Sequence, residues 1–121
     1  MLTLEQFKAA RATLQGVIRT TSLIHSPALS KACGNQVYLK PENMQITGAY
    51  KIRGAYYKIS TLSEEEKARG LITASAGNHA QGLAYAAQAA GVPATIVMPT
   101  TTPLVKVNNT KDYVSWARRC V

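Results

Sequence analysis

The sequence predicts an α/β fold built on a parallel sheet, and three features of it carry that prediction. "LITAS" (residues 71–75) and "ATIVM" (residues 94–98) are short apolar runs of strand length. Between them "NHAQGLAYAAQAA" (residues 78–90) is alanine-rich and helical, with Gly91 where a C-terminal cap glycine belongs and Pro93 as a breaker. Strand, helix and strand in succession form a βαβ unit, which implies parallel strands joined by a right-handed crossover. The chain has 121 residues, of which 46% are apolar. That is enough for the core of one small domain and argues against disorder.

The remaining elements follow in order. Thr3 with Gln6 reads as a capping box that opens a helix over residues 4–18. "QVYLK" (residues 36–40) alternates and is rich in β-formers, so it predicts a strand that Pro41 ends. After the loop "PENMQITG" a helix is expected over residues 50–60. Ser63 with Glu66 forms a second capping box, starting a short helix that stops at Gly70. Gly77 allows a tight turn between the first apolar strand and its helix. Pro99 closes the second strand, and Pro103 suits the first turn of a helix over residues 104–113.

Composition excludes several function classes. The net charge is +8, from 14 Lys and Arg against 6 Asp and Glu. The basic residues are dispersed and do not alternate with aromatics, so no nucleic-acid partner is expected and a small anionic ligand fits better. Cys33 and Cys120 have no metal-ligand or CxxC spacing, so no metal is expected and both read as free thiols of a reducing compartment. The N-terminus is an amphipathic helix pattern rather than a leader, and no apolar run has the length of a membrane span. The expected location is the cytoplasm.

Two stretches carry chemistry. "SAGNHAQG" (residues 75–82) lies at the carboxyl end of a strand and the start of a helix, where free N–H groups and the helix dipole favour an anion. Ser75 adds a hydroxyl and Asn78 an amide. One reading is a binding loop for a carboxylate; the other is a plain strand-to-helix turn with Asn78 as N-cap and His79 bonded to backbone. The second stretch, "GAYKIRGAYYK" (residues 48–58), holds Lys51. A lysine on a helix is ordinarily a solvated side chain. A reactive one needs a lowered pKa, toward which Arg53 would contribute as a neighbouring cation. Tyr50 would lie against a planar ligand ring, and Gly48, Ala49, Gly54 and Ala55 would leave it room.

Taken together, "LKPENMQITGAYKIRGA", then "SAGNHAQGLAYAA", then "ATIVMP" with "TP" and a lysine beyond, closely resemble the threonine ammonia-lyase (threonine dehydratase) branch of the tryptophan synthase β-like pyridoxal-phosphate enzymes. The resemblance covers residues 2–113. It implies a three-layer αβα fold with a parallel sheet, pyridoxal 5'-phosphate as cofactor, and Lys51 as the catalytic lysine that carries it. Tyr50 matches the aromatic packed on the cofactor and Asn78 the residue bonding its ring hydroxyl. Ser75, Ala76, Gly77, Asn78 and His79 match the loop that holds the substrate carboxylate. The implied reaction takes L-threonine, and L-serine alongside it, to 2-oxobutanoate or pyruvate with ammonia. The freed Lys51 amine would remove the α-proton and the β-hydroxyl would leave as water. Serine racemase relatives carry a second hydroxyl residue where this chain has Ala76, so elimination is favoured over racemisation. The implied setting is isoleucine biosynthesis or threonine catabolism, and full-length relatives are expected to be homo-oligomers.

The resemblance also implies parts that this sequence does not contain. Such enzymes are two to three times longer and hold the cofactor phosphate in a glycine-rich loop. The chain is therefore expected to be a truncated N-terminal fragment, catalytically inactive alone. Residues 1–48 would belong to the large-domain side, 49–113 to the small domain and 114–121 to an aberrant tail. Where the family continues Gly-Ala-Glu-Val, this chain reads "VSWARRCV". The frame starting on the last base of the Trp116 codon opens on a glycine codon, so the tail is expected to be a shifted reading frame. The apolar faces of the two strands would then be partly uncovered.

Overall fold

A computed structural model describes residues 1–113 and 117–120, the last four by their backbone alone. The order is α1 (Leu4–Leu14), β1 (Ile24–His25), α2 (Pro27–Cys33), β2 (Tyr38–Leu39), a 3-10 turn (Glu42–Met44), α3 (Lys51–Ser60), α4 (Glu64–Arg69), β3 (Leu71–Ala74), α5 (Asn78–Ala89), β4 (Ala94–Pro99), α6 (Leu104–Lys111) and β5 (Ala117–Cys120). β1 and β2 form a small antiparallel ribbon, pairing Ile24 with Leu39 and His25 with Tyr38. The other sheet is parallel in the order β3-β4-β5, with Leu71 opposite Ala94 and Ile96 opposite Ala117. The expected βαβ unit is therefore present as β3–α5–β4.

Both predicted capping boxes form. The Thr3 hydroxyl accepts from the Gln6 N–H while the Gln6 side chain accepts from the Thr3 N–H, and Ser63 and Glu66 exchange the same pair of bonds. The first helix is shorter than expected, ending at Leu14 rather than at residue 18. Gly16 takes up a left-handed φ of 81°, which a helix cannot continue through. The strand expected over residues 36–40 shrinks to Tyr38–Leu39, since its partner β1 offers only two residues. Of residues 114–121, expected to be an aberrant tail, 114–116 and 121 lie outside the described residues; the others form β5 and continue the sheet beside β4.

The core lies between the sheet and its helices. α3 presents Ile52, Ala55 and Ile59 at helical spacing, all buried, against alanines of α5. Ala80 and Ala84 of α5 pack with Ile96 and Met98 of β4 and with Val107 of α6. The small alanine side chains are what allow α3 and α5 to lie close together. Opposite this face, the described residues leave the sheet open: Ile72 is 76% exposed and Ala74 is exposed. A second helical layer is not among the described residues.

Candidate active site

The loop between β3 and α5 begins with Ser75, whose N–H donates to the Val97 carbonyl at 3.0 Å and so ends the sheet pairing. Its hydroxyl accepts from the Gly77 N–H at 3.3 Å, which sets the turn. The N-cap of α5 is Gly77, with no side chain to cap it. The expectation of Asn78 as N-cap is thereby corrected: Asn78 is already the first helical residue. The first-turn N–H groups of Asn78, His79 and Ala80 take no acceptor among the described residues, as a helix start without a cap side chain requires. Bared N–H groups and the helix dipole make the field at this end of α5 favourable to an anion. Asn78 accepts a bond at Oδ1 from Lys106 Nζ at 3.2 Å, which leaves its amide NH₂ as a donor. His79 is exposed and its side chain makes no bond to backbone among the described residues, so that reading of it is also corrected.

Lys51 is the first residue of α3, with Tyr50 as N-cap. Its ammonium stands 5.1 Å from the centroid of the Tyr50 ring, and both residues are exposed. It makes no ion pair or hydrogen bond among the described residues. A lysine without a carboxylate partner keeps its amine available for a carbonyl. The anticipated help from Arg53 is not available in the way expected. Its guanidinium forms a fork with Glu42, Nε to Oε2 and Nη2 to Oε1, both at 2.8 Å. That charge is compensated, and the Arg53 bonds hold the Glu42 carboxyl down at about 2 against an ordinary 4.5.

Tyr50, Lys51 and His79 meet on one cleft of about 450 Å³ between α3 and α5, with Gly54, Ala55 and Leu83. Its size suits a small organic ligand. Ser75, Ala76, Gly77 and Asn78 lie on the loop beside it rather than on its wall. A Cβ on Gly48 or Gly54 would meet no atom within 4 Å, so there is room there as expected; Ala55 lines the cleft while packing into the core, and Ala49 is buried outside its lining. A larger cleft of about 890 Å³ opens at the amino ends of β3 and β4, around Gly70 and Val92. Lys51 does not line it, although Leu71 lines both clefts, and ligands of open parallel sheets sit at the carboxyl ends.

One residue escaped the sequence reading. A Cβ on Gly82 of α5 would stand 3.0 Å from the Lys51 carbonyl carbon and 3.1 Å from the Ile52 nitrogen. Glycine is therefore what lets α5 press against the backbone that carries Lys51. Its place inside "SAGNHAQG" was visible, but nothing local marks a glycine on a helix as a contact point.

Known proteins resemble this chain in sequence and in fold. The chain is 56% identical over 112 residues to an L-threonine ammonia-lyase of Thermotoga maritima, covering 93% of this chain and 28% of that protein. It superposes on a serine racemase structure from Dictyostelium discoideum with a TM-score of 0.90 at 35% identity, covering 98% of this chain and 39% of that one. The processed form of threonine deaminase isoform 2 from Solanum lycopersicum gives 0.80 at 35% identity, covering 98% and 36%. The chain thus spans about a third of the length of the relatives it matches. A family model described as "Pyridoxal-phosphate dependent enzyme" matches residues 14–115, and on that match the chain belongs to the pyridoxal-phosphate dependent enzymes.

Proposed function

We propose that this chain carries the lysine half of a threonine ammonia-lyase site, acting on L-threonine and L-serine. The observation that supports it most is the unpaired Lys51 amine over Tyr50, on the cleft that His79 also lines, in a chain more than half identical to a named threonine ammonia-lyase. The residues fit the aldehyde and ring of pyridoxal phosphate: a free primary amine, a flat aromatic beside it, and an open glycine, Gly54, behind it. They do not make a full phosphate cradle, as no run of glycines lines the cleft among the described residues.

Bound pyridoxal phosphate supplies an electron sink that stabilises negative charge on the substrate α-carbon. Lys51 Nζ would hold the cofactor and would be the base that takes the substrate α-proton. The amide NH₂ of Asn78 would donate to the cofactor's ring hydroxyl. The loop of Ser75, Ala76, Gly77, Asn78 and His79 would seat the substrate carboxylate on the bared N–H groups of α5. Ala76 has only a methyl group, which moves no proton and so supports elimination over racemisation. The residues 1–48 and 49–113 would belong to the large-domain and small-domain sides of the complete enzyme, working in the cytoplasm as a homo-oligomer.

A second reading concerns this polypeptide alone: it is catalytically inactive, supported by the incomplete phosphate cradle and the open sheet face at Ile72. One experiment tests both. Purified chain is mixed with pyridoxal phosphate, the visible spectrum of the lysine-bound cofactor is recorded, and 2-oxobutanoate is assayed after threonine is added. The spectral band should form with the natural chain and vanish with Lys51→Ala; a band that survives that change removes Lys51 from the site. Turnover of about 1 per second or more would overturn inactivity.

A further inference from the structure

Lys51 is held in place by contacts that bypass its own side chain. Glu42 in the 3-10 turn and Arg53 in the first turn of α3 are joined by two parallel 2.8 Å bonds. Between them the chain runs through residues 45–50 and returns, so the ion pair is the neck of a loop with Lys51 near its closing end. The pair is largely sheltered, with Glu42 18% and Arg53 32% exposed. The Thr21 hydroxyl donates to Glu42 Oε1 at 2.7 Å and so fixes the carboxylate from a third segment. Below the neck the buried Gln45 side chain brackets the Arg19 peptide, accepting from its N–H at 3.1 Å and donating to its carbonyl at 2.7 Å. Bidentate pairs of this type set direction as well as distance.

We propose that Glu42 is a positioning residue for Lys51. By closing the loop onto Arg53, which lines the cleft beside Lys51, it fixes the first turn of α3 and holds the Arg53 guanidinium in one compensated position. The carboxylate touches neither the cleft's ligand space nor the amine, so its action runs through Arg53 and the helix start. The proposal rests on the reading of Lys51 as the cofactor lysine for its chemical readout, but not for its structural one.

Two measurements on the whole chain test it. The first is backbone amide exchange, which needs no cofactor. Glu42→Gln should speed exchange at residues 53–56, the first bonded amides of α3, by about tenfold, the loss of one well-made charged bond pair, while the α5 amides stay as they are. The second is reductive trapping of pyridoxal phosphate on lysines, mapped by mass spectrometry. The natural chain should label Lys51 ahead of Lys31 and Lys58, and Glu42→Gln should erase that preference. Should Glu42→Gln fail to fold, Arg53→Lys keeps the charge and loses the fork, with the same expectations. The exchanged pair Glu42→Arg with Arg53→Glu should restore both readouts, which a general loss of stability would not allow. Unchanged exchange at residues 53–56, or faster exchange throughout the molecule, overturns the positioning role. If the natural chain shows no preference for Lys51, the cofactor reading fails, and the exchange result still decides the role of Glu42.

Discussion

Gly82 illustrates how a single hydrogen can decide a site. Alanine in place of glycine inside a helix ordinarily stabilises by about 1 kcal/mol. Here the added methyl would press on the Lys51 backbone at 3.0 Å, and backbone has little room to yield. Overpacking of that kind costs about 1–3 kcal/mol, so the clash outweighs the propensity gain. Gly82→Ala should lower the urea midpoint and weaken trapping of pyridoxal phosphate at Lys51; an unchanged midpoint would mean that α3 shifts without cost. Glu42 gives a second prediction. Its folded pKa is depressed to about 2 from 4.5, through the Arg53 bonds first. Its contribution to stability is therefore complete above pH 4.5 and is lost as the pH falls toward 2. Urea midpoints should decline over that window in the natural chain, and that component of the decline should be missing in Glu42→Gln. The chemistry of Lys51 was legible only through its company, since "GAYKIRGA" alone fits a solvated helix. Its supports were not legible, because a bond between residues 42 and 53 depends on how the intervening loop folds back.

Helix α3 is the element on which the site turns, and Ile52 is its anchor, fully buried one residue after Lys51. Ile52→Ala should cost about 2–5 kcal/mol by emptying core space, measured by urea unfolding, and should loosen the Lys51 turn with it. Elements with strong local signals were readable in advance: two capping boxes, the alanine-rich α5, and β3 and β4 bounded by glycine and proline. α2 was passed over although its signals were present, with Ser26 as cap, Pro27 in the first turn and Gly34 after Cys33. The helix has no buried residue, so it lacks the apolar periodicity that would draw attention to it. β1 is two residues long and exists only through pairing with β2, which a linear reading does not reveal. Of the two readings of residues 75–82, the one with Asn78 as cap fails at that residue because cap propensity and the first helical position compete over it. Gly77 prevails there through the shape of the Ser75 turn.

On the scale of the whole molecule, two properties oppose each other. Among the described residues one face of the parallel sheet is open at Ile72 and Ala74, and β3 stands at the edge of the sheet with no strand on its far side. An apolar edge strand is a template for pairing with another chain. Against this, a net charge of +8 makes like molecules repel. The repulsion acts over about 10 Å at 0.1 M salt and about 3 Å at 1 M, whereas the apolar attraction is not screened. The chain should therefore remain dispersed at low ionic strength and associate as salt rises, seen as growing light scattering at constant protein concentration. Ile72→Lys places a charge in the middle of the open face and should abolish the salt response. The far-UV circular dichroism should stay unchanged, since Ile72 contributes little to the core at 76% exposure. Scattering that rises equally in Ile72→Lys would place the contact elsewhere, with the exposed Leu4 and Phe7 of α1 as the next apolar surface to substitute.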